Sequence, residues 1–146
     1  MKNELDLEEG SPWEVGPSMI QAREYHGCTL TSIGDETVLV VAGGRDENET
    51  PLSSVEFYFF NSQTWVAGPD LPKSLFEPTM VNMDNVGAIL MGGTFSIQGP
   101  SSSSIYRLAC DDTADSCEWF EIEQKLKADR YGHNAMFIPP TAKSCV

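Results

Sequence analysis

The sequence predicts an all-β protein, and three observations carry that prediction. The apolar segments are runs of four to six residues that stop at glycine, with no helical spacing among them. Nine prolines and twelve glycines are spread along the chain, which leaves few windows in which a helix could grow. The landmarks of the chain also recur at a period near 50 residues.

Taken in order, the run TVLVVA at 37–42 is β-branched and closes at Gly43-Gly44. Bounded in this way, it reads as a buried strand. VEFYFF at 55–60 follows a loop containing Pro51, Ser53 and Ser54 and reads as a second strand. GAILM at 87–91 closes at Gly92-Gly93 and reads as another buried strand. Residues 119–128 contain the helix formers Glu123, Gln124, Lys125 and Lys127, but the repeat puts a strand and a loop there. AMFI at 135–138 is expected to be the first strand of a further unit.

The repeat decides the arrangement. Trp13-Glu14-Val15-Gly16-Pro17 returns as Trp65-Val66-Ala67-Gly68-Pro69, an offset of 52, and Trp119 follows 54 residues later without its Gly-Pro. The diglycines lie 49 apart. Arg23-Glu24-Tyr25-His26 returns as Arg130-Tyr131-Gly132-His133, with the histidines 107 apart, about two periods. Within a unit, an apolar run ends in Gly-Gly, a polar loop follows, then an aromatic strand, and a tryptophan closes.

This order resembles the kelch repeat, whose units are four-stranded antiparallel blades of a β-propeller. The matching positions are Gly43, Gly44, Tyr58 and Trp65 in one unit, and Gly92, Gly93, Tyr106 and Trp119 in the next. The resemblance implies an interval of six residues between tyrosine and tryptophan; the second unit has twelve, so a hairpin loop there is longer. It also implies that Trp65 and Trp119 are buried at equivalent places on successive blades. Residues 1–10 then read as an acidic tail and 11–139 as repeats, with blades at about 23–71 and 72–126 and partial strands on either side. Residues 140–146 form a second tail. A six-bladed propeller needs roughly 300 residues, so these two blades are expected to belong to a longer propeller or to self-associate through uncovered apolar faces.

Candidate chemistry is sparse. Cys110 and Cys117 flank the lengthened loop, and if its strands pair, the two thiols come within bridging distance. In an oxidising compartment a disulfide is expected, worth ~2.5 kcal/mol in chain entropy. Asp111, Asp112 and Asp115 lack the glycine and terminal glutamate of a calcium loop and read as a solvated tip, as does Asp46-Glu47-Asn48-Glu49. His26 and His133 occupy equivalent repeat positions, held apart by the propeller geometry, and read as structural. No metal or cofactor site and no catalytic set is assigned, since Gly-x-Ser-x-Gly, phosphate-loop and HExxH motifs are missing.

Arg23, Tyr25, Arg45, Arg130 and Tyr131 are the candidate partner-binding residues. Arginine suits bidentate capture of carboxylates and stacking on rings. A bracing role for Arg23 and Arg130 through main-chain carbonyls is the alternative. Kelch propellers bind proteins or peptides through inter-strand loops, which the resemblance carries to residues 45–54 and 94–104. A non-enzymatic interaction module is therefore expected. The alternative is part of a kelch enzyme or carbohydrate-binding protein of the galactose-oxidase or sugar-epimerase type, but the two histidines cannot supply the oxidase's copper ligands. With 146 residues and a net charge of −13, a nucleic-acid or anionic-membrane partner is not expected. No apolar run has the roughly 20 residues that span a bilayer, and the first residues lack the apolar core of a secretory signal. A cytoplasmic site, or an extracellular one if a leader is missing, fits equally.

Overall fold

The structure, a computed structural model, describes residues 15–84 and 86–138. Among the described residues, eight strands form two antiparallel sheets of four, each with its strands in chain order. The first sheet contains β1 (Gly27–Ile33), β2 (Glu36–Ala42), β3 (Val55–Phe59) and β4 (Thr64–Ala67). The second contains β5 (Phe76–Met83), β6 (Gly87–Thr94), β7 (Ile105–Ala109) and β8 (Glu118–Glu121). This is the architecture of a β-propeller fragment. Trp119 begins no helix; it lies in β8, and irregular chain follows.

Strand alternation builds one core in the seam between the sheets. Val38, Val40 and Ala42 of β2 are fully buried while Thr37 is exposed, the period of two expected of a strand. Val55 and Phe57 join them from β3, facing Leu90, Tyr106, Leu108 and Trp119 of the second sheet. Leu71 and Leu75, from the connection between sheets, complete the cluster. Burial of each large side chain contributes roughly 1.5–3 kcal/mol.

The diglycines let the connections pass close to the sheets. All four have positive φ, Gly43 and Gly44 at 66° and 94°, Gly92 and Gly93 at 71° and 91°. A Cβ on Gly43 would lie 2.4 Å from the Leu75 carbonyl, and one on Gly92 would lie 2.5 Å from that of Arg130. Those same carbonyls accept hydrogen bonds from Gly44 N (2.8 Å) and Gly93 N (2.9 Å).

A second repeated device ties the units together. Tyr25, Glu77 and Gly132 share φ values of 55°, 55° and 57°. Glu77 N donates to the Tyr25 carbonyl at 2.7 Å, and Gly132 N donates to the Glu77 carbonyl at 3.1 Å. Arg23, Leu75 and Arg130, each two residues earlier, are therefore equivalent, as are His26, Pro78 and His133.

The tryptophans form a third. Trp65 Nε1 donates to the Pro17 carbonyl (2.9 Å) and Trp119 Nε1 to the Pro69 carbonyl (3.0 Å), so each latches onto the Gly-Pro one unit earlier. Their burial differs from the expectation: Trp119 is buried, but Trp65 only half-buried. Trp119 lies in the seam, whereas Trp65 is on the far face of the first sheet. Trp13, the first member of the series, lies outside the described residues.

Register corrects one equivalence. With Gly43 matched to Gly92, Val41 corresponds to Leu90; Val41 pairs with Glu56 and Leu90 with Tyr106. Tyr106 is thus the counterpart of Glu56, and Tyr58 that of Leu108. Matching tyrosine to tyrosine misleads because Tyr106 stands two places earlier in its ladder than Tyr58 does. The partial strands are also corrected. Residues 15–22 and 135–138 are irregular, since no described strand pairs with them and a strand exists through its ladder; residues 11–14 lie outside the described part.

The β7–β8 connection contains a single 3₁₀ turn, Ala114–Ser116, and a Cys110–Cys117 disulfide closes it. Cys117 is buried in the seam core, with Cys110 and Ala114 packed against it. The tip also touches the first sheet, because a Cβ on Gly34, in the β1–β2 turn, would lie 3.0 Å from the Asp112 carbonyl.

Candidate interaction site

Arg45 follows the first diglycine, and backbone bonds in both directions with Glu24 hold it against the start of the first unit (2.9 and 3.0 Å). Its Nε donates to Glu24 Oε1 at 2.8 Å, and Glu49 Oε1 lies 3.8 Å from Nη1. The guanidinium lies over the Tyr25 ring, 4.6 Å from its centroid, and 5.6 Å from that of Phe76. The hydrogen bond to Glu24 is the largest influence raising the Arg45 pKa above the usual arginine value. Arg45 is thus a rigid post among two rings and two carboxylates, with Tyr25 still 51% exposed.

The loop after Arg45 is ordered by its own carboxylate. Asp46 Oδ1 accepts from the backbone N–H groups of Asn48 and Thr50, both at 2.9 Å. The Thr50 bond, the larger cause, and the Asn48 bond hold the Asp46 pKa below the usual carboxylate range. Between this loop and the segment leading into β1 lies an open cleft of about 350 Å³, lined by Ala22, Arg23, Glu24, Arg45, Asp46 and Glu47. In the second unit Thr94 replaces Arg45, and its buried hydroxyl donates into its own loop, towards the Ser96 (3.0 Å) and Pro100 (3.3 Å) carbonyls.

The five candidate residues divide. Tyr25 and Arg45 come together. Arg130 and Tyr131 are exposed on the same rim two units further on, next to Gly132. Arg23 is withdrawn from any partner: its side chain is 0% exposed and donates to the Gly43 and Ser54 carbonyls, Ser54 Oγ and Glu56 Oε1. It braces the blade by joining the residue after β2, the residue before β3 and Glu56 within β3. His26 and His133 sit beside the diglycines; burial first, then Arg23 and Arg130 respectively, lowers their pKa values.

Sequence reasoning missed Glu24, Glu49, Phe76 and Glu56. Glu49 stands four residues after Arg45, a weak cue outside a helix. Glu56 was visible as the lone charge in an aromatic strand, and its carboxylate holds the backbone N–H groups of Ile20 (2.7 Å) and Gln21 (3.0 Å).

No protein-family model matches the chain. Over 112 residues, 74% of its length, the chain is 28% identical to beta-scruin of Limulus polyphemus, a kelch-repeat protein. It spans 11% of that protein's length. In sequence the chain is thus similar to a short stretch of a kelch-repeat protein, and in structure it has the paired four-stranded sheets of a propeller fragment.

Proposed function

We propose that the chain is a kelch-like propeller segment that holds a protein or peptide partner on the rim carrying Tyr25, Arg45, Arg130 and Tyr131, without chemistry of its own. The observation that carries this reading is the clamped Arg45 beside a half-exposed Tyr25 and an open cleft. A post that is already ordered loses little entropy on binding, and aromatic and arginine side chains dominate interface energetics. The adaptable serines of 94–104 flank it on the next unit.

The test is binding of a partner recovered by cross-linking from tissue extract, measured against Arg45→Ala, Tyr25→Ala and Tyr131→Ala. Loss of about tenfold in affinity, roughly 1.4 kcal/mol, is expected for Arg45→Ala, with the melting transition retained. Wild-type affinity in all three variants would move the partner site elsewhere.

A further inference from the structure

We propose that the Cys110–Cys117 disulfide is a redox-sensitive lock on the seam between the two sheets, opened by a dithiol reductant. The two ends of the seam are fastened differently. At the glycine end, the covalent connection between sheets and backbone bonds such as Gly44 N to the Leu75 carbonyl hold it. At the turn end, the disulfide-closed loop rests its Asp112 carbonyl on Gly34 of the first sheet, and Cys117 fills part of the shared core. Thr31 Oγ1 and Asn82 Oδ1 meet across the same end only at 3.4 Å. Cleaving the disulfide frees the loop's ends and with them its hold on the β1–β2 turn.

The two cysteines differ in access. Cys110 lines two clefts, one of about 120 Å³ shared with Thr31 and Ser32 of the first sheet, the other of about 220 Å³ shared with Ser116 and Phe120. Cys117 is 8% exposed. A reductant thiolate therefore attacks Cys110 Sγ; the S–S bond breaks, and its electron pair leaves on Cys117 Sγ, which takes a proton. The Thr113 carbonyl, 3.6 Å from Cys117 Sγ, is in place to accept from the new thiol. The second thiol of the reductant then displaces Cys110 from the mixed disulfide. Two electrons and two protons enter the protein, and the reductant leaves as a cyclic disulfide.

Hydrogen exchange of the full chain, oxidised and after dithiothreitol, tests the lock. Exchange is expected to quicken at least tenfold at 31–36 and 110–117 and to stay unchanged at 43–45 and 52–55. Re-oxidation must restore protection, and the Cys110→Ser/Cys117→Ser double variant must show the reduced pattern without reductant. No change on reduction, equal quickening at both ends, or failure of protection to return on re-oxidation would each overturn the proposal. So would a double variant as protected as the oxidised chain.

Discussion

A buried charge pair in one unit stands where the next unit has two apolar residues. Arg23 and Glu56, at 2.7 Å and almost wholly inside, occupy the places of Leu75 and Tyr106. Four of the five Arg23 donors are satisfied and Nε is left unpaired, so the pair is costly to half-remove. Glu56→Ala should cost about 3–5 kcal/mol, read as a shift in the urea midpoint. The double change Arg23→Leu/Glu56→Tyr, which copies the second sheet, should recover most of that loss. A double variant no more stable than Glu56→Ala would show that the two sites are not interchangeable. Spacing alone identified Arg23 as a repeated residue; which way its side chain turned depended on Ser54 and Glu56, more than 30 positions away, and could not be read from a motif.

At the scale of the element, the glycine-bounded runs were legible because a buried strand needs β-branched side chains and a breaker. The unpaired flanks were not, since strand formation depends on a neighbour that local sequence does not name. The tryptophan latches separate these effects. Trp119→Phe keeps a ring in the seam but strands the Pro69 carbonyl, and should cost roughly 1–3 kcal/mol. Trp65→Phe releases the Pro17 carbonyl at an exposed site and should cost less than about 0.5 kcal/mol. Paired thermal melts distinguish the two, and equal losses would mean that the segment around Pro17 covers Trp65 as fully as the first sheet covers Trp119.

For the whole molecule, the period implied stacked units, but it is the folded backbone that gives the segments around Arg23 and Arg130 the same part as the one around Leu75. Two copies placed end to end would bring both to one seam, where there is room for one. Association therefore requires one segment to be unseated. Light scattering should find a 16.1 kDa particle at low concentration, and Glu56→Gln, which weakens the hold on Ile20 and Gln21, should shift it towards larger species. Rapid association of the wild-type chain would contradict this competition. The ladder through Tyr25, Glu77 and Gly132 adds a direction to any such growth. Each unit gives its N–H to the unit before and its carbonyl to the unit after, as links in a one-way chain. A neighbour beyond Gly132 must arrive donor first, and one before Tyr25 must arrive acceptor first. Mirror-fashioned pairing of like ends would set donor against donor at Tyr25 or acceptor against acceptor at Gly132, so the rim has an arrow, and whatever extends it must travel the same way.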